Sequence, residues 1–162
     1  MSRVYVSIGS NIDREAKVRS AVYHFRDRYP ELIVSAIYES NAVGFSGADF
    51  YNLVVAFDTA EKISTVVSFL RQLEALHGRE RQSPQFSSRT LDLDLLLYGD
   101  AIIDDGQLML PRADIIRYAF VLAPLAEIAG EEIHPVNHRS YAELWADFPD
   151  QGQQLLRIPA GL

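Results

Sequence analysis

Cysteine is absent from this 162-residue chain, which excludes disulfides, thiolate metal sites and cysteine nucleophiles. Carboxylates and imidazoles are then the side chains left to ligate a metal, a donor set that favours a hard cation over zinc. Lysine is almost absent as well: Lys17 and Lys62 stand against thirteen arginines. The planar arginine fork suits phosphate oxygens, although arginine richness alone assigns no function. No stretch approaches the ~20 uninterrupted apolar residues of a membrane-spanning helix. Met1–Asn11 lacks the basic start and long apolar block of a secretion signal. The expectation is a cytoplasmic protein with no membrane partner. Excess positive charge is also missing, and a net charge of −7 argues against broad binding to nucleic acid or anionic lipid. Neither lysine lies in a Gly-x-x-x-x-Gly-Lys context, so a Walker loop is excluded and any polyphosphate must be held by side chains.

What is present is the composition of an ordinary globular protein, 48% hydrophobic and 23% charged. A chain of this length forms one domain, burying about 70% of its unfolded surface, and no repeat, low-complexity tract or linker divides residues 1–162. Val4–Ile8 reads as a short buried strand that ends in the turn Gly9-Ser10-Asn11. Asp13 is placed to cap a helix in which Val18, Ala21, Val22, Phe25 and Tyr29 recur at helical spacing, and Pro30 stops it. Leu32–Tyr38 is rich in β-formers, Glu39–Asp49 has the composition of a loop, and Phe50–Phe57 is a strand. A second helix carries Ile63, Val66, Val67, Leu70 and Leu73 on one face and closes at Gly78. A polar stretch, Arg79–Ser88, follows.

The run Leu91-Asp92-Leu93-Asp94-Leu95-Leu96-Leu97-Tyr98 is the most informative in the chain. On a helix Asp92 and Asp94 would lie about 200° apart. On a strand they share one face while Leu91, Leu93, Leu95 and Leu97 share the other, so the run reads as a strand. The order strand, helix, strand, strand, helix, strand gives an α+β class and a ferredoxin-like antiparallel sheet with helices on one face. Beyond Gly99 come a hairpin-like segment to Leu110, short helices between Ala113 and Ala129, and an amphipathic turn around Tyr141–Phe148, all additions to the same domain. In that turn Trp145, with Tyr141, Leu144 and Phe148, is read as an anchor to the core.

Two carboxylates side by side on a sheet face repel, so something positive must lie between them. A structural ion pair with a neighbour such as Arg89 would serve. So would a divalent cation, since magnesium accepts one or two protein carboxylates and completes its octahedron with water and substrate phosphate oxygens. Arg79, Arg81 and Arg89 fall within eleven positions of polar chain, and arginines beside a carboxylate pair are the ingredients of a nucleotide polyphosphate site.

Arg89-Thr90-Leu91-Asp92-Leu93-Asp94, followed by Leu-Leu-Leu-Tyr-Gly, resembles the signature of the 6-hydroxymethyl-7,8-dihydropterin pyrophosphokinases of folate synthesis. The likeness extends to Ile8-Gly9-Ser10-Asn11, Asp49-Phe50-x-Asn52, Glu74-x-x-x-Gly78-Arg79-x-Arg81 and Phe120-Val121-Leu122-x-Pro124-Leu125-x-Glu127-Ile128. It implies transfer of a pyrophosphoryl group from ATP to a hydroxymethyl pterin by in-line attack on the β-phosphorus, with loss of AMP. It also implies two magnesium ions held by Asp92 and Asp94, and catalytic roles for Arg79, Arg89, Asp92 and Asp94. ATP would be bound by Arg71, Arg79, Arg81, Arg89, Arg112 and Tyr118. The pterin would be bound by Ser40, Asn41, Val43, Phe50, Asn52 and Phe120, the two phenylalanines stacking on its faces. Read without the resemblance, Phe50 and Phe120 fit core packing equally well, whereas Asn52 interrupts an apolar run and suits a site better. A monomer is expected, with ATP and a pterin as its partners.

The chain departs from the family pattern on the nucleotide side. Arg112 follows Pro111 where the family usually has histidine, and Tyr118 stands two places before Phe120 in place of arginine, with Arg117 adjacent. Ser87-Ser88 replaces Gly-Pro, Phe86 replaces a tryptophan-like position, and the loop before Asp49 lacks the usual Gln-Pro and is shortened. Two rival readings follow: a paralogue that keeps the pterin pocket but transfers phosphate poorly or uses a related pterin, and a non-enzymatic ferredoxin-like binding module. His24 and His77 are read as helix packing residues and His134 and His138 as loop residues, none of them metal ligands.

Overall fold

A long first strand, β1 (Ser2–Ser10), lies inside the main sheet with β4 (Phe50–Thr59) on one side and β5 (Asp92–Tyr98) on the other, both antiparallel to it. The computed structural model describes residues 1–42, 47–78, 91–150 and 154–158. Between β1 and β4 run helix α1 (Arg14–Arg28) and strands β2 (Ile33–Val34) and β3 (Ile37–Ser40). Helix α2 (Ile63–Leu76) links β4 towards β5. The sheet order is β5-β1-β4-β3-β8, where β8 (Leu155–Ile158) pairs antiparallel with β3, and β2 pairs with β4. The chain also forms a small hairpin of β6 (Ile103–Asp104) and β7 (Met109–Leu110), then helices α3 (Asp114–Arg117), α4 (Ala119–Ala129) and α5 (Tyr141–Ala146). Among the described residues no helix is long and apolar enough to cross a membrane.

Strand alternation divides the apolar side chains between two cores. Val4, Val6, Ile8, Leu53, Val55 and Phe57 pack with Val18, Phe25, Val66 and Leu70 of α1 and α2. Tyr5, Val54 and Ala56 face the other way and pack with Ile115, Val121, Leu122, Leu125 and Tyr141. The C-terminal additions therefore cover the second face of the sheet with a core of their own, where the sequence suggests helices on one face.

Three further expectations need correction. Asp13 does stand immediately before α1, but at φ 51° and ψ 44° it is left-handed and its side chain makes no capping bond. Side-chain capping requires an extended N-cap backbone that aims the carboxylate at the first free N–H groups. Leu97 does not share a face with Leu91, Leu93 and Leu95. A bulge sets Tyr5 opposite Leu97 and Val6 opposite Leu95, so Leu96 and Leu97 both enter the second core. Trp145 is 38% exposed and tilts against Phe148 at 5.8 Å; Tyr141, Leu144 and Phe148 make the contact with the core.

Candidate active site

The alternation that buries Ile8, Leu53 and Leu93 in the first core turns Gly9, Asn52, Asp92 and Asp94 to the opposite face. Register places them in two adjacent rows: Asn52, Gly9 and Asp92 in one, and Val54, Ser7 and Asp94 in the next. Gly9 forms the flat floor between the acidic strand and β4. A Cβ there would lie 3.3 Å from Asn52 Oδ1 and 3.8 Å from Phe50 Cδ1.

Asn52 is buried and fixed from one side. Its Nδ2 donates to Ser40 Oγ at 2.7 Å and to Tyr38 O at 3.3 Å, which leaves Oδ1 directed over Gly9 as an acceptor. Ser40 is itself buried, whereas Asn41 is exposed just beyond the end of β3. Asn11 Nδ2 donates to Ala48 O at 3.0 Å. Arg14 donates to Asp49 O at 3.1 Å, pairs with Glu39 at 2.6 Å and lies 3.9 Å over the Tyr51 ring. The segment leading into Phe50 is thus tied to the end of β1 and the start of α1.

At the other side, β5 is an edge strand, and the Leu93 N–H between the two aspartates donates to Glu74 Oε2 at 2.8 Å. Glu74 is 1% exposed on α2, so a carboxylate spans from helix to strand edge and sets the height of the acidic pair. Arg112, just after β7, is tied to the same strand, its backbone N–H donating to Leu96 O at 3.0 Å. Its guanidinium stands 3.4 Å from Asp94 Oδ1 and 3.3 Å from Asp114 Oδ2. Burial works against the Arg112 charge, but Asp94, Asp114 and Glu74 outweigh it and raise its pKa above the ordinary arginine value.

Phe120 lies in the first turn of α4 at the fringe of the second core, and the Tyr118 ring stacks on it at 5.1 Å and 22°. Arg71 is on the exposed side of α2, and Arg117 is exposed at the end of α3. Val43, Arg79, Arg81 and Arg89, like Phe86, Ser87 and Ser88, lie outside the described residues. The structure therefore gathers Ser40, Phe50, Asn52, Asp92, Asp94 and Arg112 around the face of β1, β4 and β5, and Arg71 stands on the exposed side of α2 three residues before Glu74.

Three contributors escaped the sequence reading: Gly9 as the floor, Glu74 as the clasp on Leu93, and Asp114 as the second partner of Arg112. Gly9 and Glu74 do stand in the motifs Ile8-Gly9-Ser10-Asn11 and Glu74-x-x-x-Gly78-Arg79-x-Arg81, but those motifs give neither role. The histidines are engaged structurally. His77 is buried, its Nδ1 2.7 Å from Leu73 O and its Nε2 2.7 Å from Ser20 Oγ. The carbonyl only accepts, which assigns the proton to Nδ1. His134 Nδ1 accepts from Val136 N and Asn137 N, and burial, followed by the neighbouring His138, lowers its pKa.

Magnesium fits this donor set. Among the described residues no group of three or more His, Cys, Asp or Glu side chains is placed to hold a metal, so an all-protein cage is missing there. Two carboxylates on one face are what an ion completed by water and phosphate oxygens requires.

Comparison with known proteins decides the family. Residues 5–130 match the model of the 7,8-dihydro-6-hydroxymethylpterin-pyrophosphokinase family, HPPK. The chain belongs to this family. It is 38% identical over 128 residues to the 2-amino-4-hydroxy-6-hydroxymethyldihydropteridine pyrophosphokinase of Bacillus subtilis, covering 76% of each chain. It is 34% identical over 160 residues to that of Pseudomonas aeruginosa, covering 96% of this chain and 98% of the relative. Among solved structures, an HPPK-DHPS in complex with substrates superposes with a TM-score of 0.70 at 11% identity, and covers 91% of this chain and 43% of its own. The Plasmodium falciparum HPPK-DHPS with pteroate gives 0.68 at 14% identity, covering 91% of this chain and 42% of its own. The chain spans less than half of those two proteins, and at such identities the likeness shows the fold alone, a mixed assembly of helices and antiparallel sheet.

Proposed function

We propose that this HPPK-family chain transfers a pyrophosphoryl group from ATP to 6-hydroxymethyl-7,8-dihydropterin and releases AMP, a step of folate biosynthesis. The observation that carries the reading is the row Asn52, Gly9 and Asp92, which sets a hydrogen-bonding amide and an acidic strand on either side of a floor with no side chain. A flat heterocycle lying on Gly9 has the fixed Asn52 Oδ1 at its polar edge and its hydroxymethyl arm pointing towards the aspartates. Phe50 and Phe120 are the aromatic candidates for its two faces.

Asp92 and Asp94 would hold magnesium, which when bound neutralises the charge of the polyphosphate and offsets the repulsion between the carboxylates. Arg112, held between Asp94 and Asp114, is assigned to an ATP phosphate, together with Tyr118, Arg71 and the expected Arg79, Arg81 and Arg89. Catalysis in this reading is positioning and charge neutralisation, in which a single well-placed donor is worth about 3–4 kcal/mol. Residues 1–162 are read as one ferredoxin-like domain, since β5-β1-β4-β3 has the strand order of that arrangement. A monomer in the cytoplasm, requiring two magnesium ions, completes the reading.

The test is AMP formation by the purified full chain with ATP, magnesium and 6-hydroxymethyl-7,8-dihydropterin. AMP should appear in step with pyrophosphorylated pterin and only when both substrates are present; AMP no higher than with ATP alone would refute the assignment. The substitutions at Arg112 and Tyr118 support a second reading, a paralogue with slow transfer, in which pterin binds normally while turnover stays low at saturating ATP.

A further inference from the structure

The pairing of β3 with β4 sets Ser40 opposite Phe50 and Glu39 opposite Tyr51. Successive residues of a strand point to opposite faces. Ser40 and Phe50 therefore share the face of the site, while Glu39 and Tyr51 share the rear, where Tyr51 packs against the first core. Arg14, the first residue of α1, reaches that rear face. One of its terminal nitrogens is 2.6 Å from Glu39 Oε2, the other donates to the Asp49 carbonyl at 3.1 Å, and the guanidinium carbon lies 3.9 Å over the Tyr51 ring. A single planar fork thus ties three points, one beside Ser40 and one on each side of Phe50. Arginine alone among side chains combines several directed donors with a flat cationic face.

Local preference does not explain this placement. The N-terminal end of a helix carries a partial positive charge and disfavours a cation in the first turn, yet Arg14 is the first helical residue of α1. Its side chain is 31% exposed and that of Glu39 23%, and an ion pair this accessible adds little to global stability. Its consequence is local. Phe50 opens β4 and, with Ser40, forms the last residue pair of the ladder with β3. Just before that pair, the bonds to the Asp49 carbonyl from Arg14 and to the Ala48 carbonyl from Asn11 hold the chain. A Cβ on Gly9 would lie 3.8 Å from Phe50 Cδ1, so any shift of this strand end carries the ring across the floor of the site. We propose that Arg14 is a positioning residue for the pterin half of the site, holding Ser40 and Phe50 from behind without touching the ligand. The inference rests on the reading of this face as a pterin site.

The test is calorimetry on the full chain with magnesium, first with α,β-methylene-ATP and then, on the nucleotide complex, with 6-hydroxymethylpterin, an oxidised analogue of the substrate. Arg14→Gln should weaken pterin binding about tenfold, the order of one hydrogen bond to a charged group, and leave nucleotide binding at the parent value. Arg14→Lys keeps the charge but not the fork and should recover part of the loss. Glu39→Gln should weaken pterin binding about threefold, the order of one accessible ion pair. Combining Arg14→Gln with Glu39→Gln should cost no more than Arg14→Gln alone, because both remove the same contact. In turnover, the KM for the pterin should rise in the same order while the KM for ATP stays constant. A merely structural arginine would weaken both ligands or neither when replaced, and either result overturns the inference. If Arg14→Gln does not fold, parent pterin affinity in Arg14→Lys and Glu39→Gln overturns it equally. A parent chain that binds no pterin overturns the pterin reading, and this inference with it; a parent that binds pterin no better than Arg14→Gln does overturns the inference alone.

Discussion

Arg112 stands 3.4 Å from Asp94 and 3.3 Å from Asp114, so one of the two signature aspartates already has a positive partner within the chain. The arginine side chain is 34% exposed and Asp94 19%, which leaves the guanidinium able to turn towards solvent and a polyphosphate. If Asp94 holds magnesium as proposed, Arg112 in its present position competes with the ion for that carboxylate.

Two effects of Arg112→Ala are therefore expected, with opposite signs. Free magnesium should bind more tightly in calorimetry without nucleotide, because the cation competing at Asp94 is gone. The apparent KM for ATP should rise about fivefold, the equivalent of ~1 kcal/mol, with pterin affinity unchanged. Arg112→His should lie between, since a histidine of ordinary pKa near 6.5 is mostly neutral at physiological pH. If Arg112→Ala leaves both quantities at the parent value, Arg112 is a solvated charge with no part in the nucleotide site.

Asp94→Ala should fold and yet lose turnover by at least about 100-fold. A partly exposed ion pair is worth about 0–1 kcal/mol, and Arg112 keeps Asp114 as a partner. Circular dichroism melts should then show a small change while AMP release disappears. A protein that melts far lower but retains activity per folded molecule would make the aspartates structural instead.

Phe50→Ala and Phe120→Ala should each weaken pterin binding by about 1–3 kcal/mol, by analogy with bases stacked on aromatics, and leave binding of an ATP analogue nearly intact. The two variants should differ in stability. Phe120 packs at the fringe of the second core and stacks with Tyr118, so its removal also lowers the melting temperature, and binding must be compared per folded molecule. Equal losses for both ligands would point to general packing.

The sequence carried the strand Asp92–Tyr98 and its shared acidic face because alternation needs only local chemistry. It failed three residues past Asp94, at Leu97, because a bulge depends on the partner strand, and nothing in Leu95-Leu96-Leu97 marks which leucine is the extra one. Asn52 was legible as a polar residue breaking an apolar run. What holds it was not: the bonds to Ser40 Oγ and Tyr38 O exist only once β3 and β4 are in register. Glu74 is visible in the sequence as the head of Glu74-x-x-x-Gly78-Arg79-x-Arg81, but its burial against the Leu93 N–H is a relation between elements. The strand β8 is four residues long, with two of them exposed and none buried, too short for a pattern to stand out.

Stability should fall steeply in alkali. The Tyr29 and Tyr38 hydroxyls are each pushed up to about 12, by burial first and then by hydrogen bonds to Glu61 and Glu127 respectively. An unfolded tyrosine titrates near 10, so folding favours the neutral phenol. The contribution is complete below pH about 10 and is lost as pH rises towards about 12. Urea melts between these values should show a falling midpoint, and the slope should flatten in the Tyr29→Phe, Tyr38→Phe double variant. An unchanged slope would assign the alkaline loss to other groups.

Ser40 tests whether the amide of Asn52 must be held in place to recognise a ligand. Its hydroxyl accepts from Asn52 Nδ2 at 2.7 Å, the shorter of that group's two bonds, and so selects the rotamer that presents Oδ1 above Gly9. Ser40→Ala removes one buried acceptor at a cost of about 1 kcal/mol and leaves Nδ2 with the longer bond to Tyr38 O alone. The amide is then free to rotate, and a donor on the ligand meets oxygen only part of the time. Pterin affinity should fall about fivefold, while binding of an ATP analogue, which this reading puts on the side of Arg112, stays constant. Ser40→Thr keeps the oxygen and should recover most of the loss. An Ala variant that binds pterin like the parent would mean that Asn52 is oriented by the strand alone, and equal weakening of both ligands would mean that β3 itself has shifted.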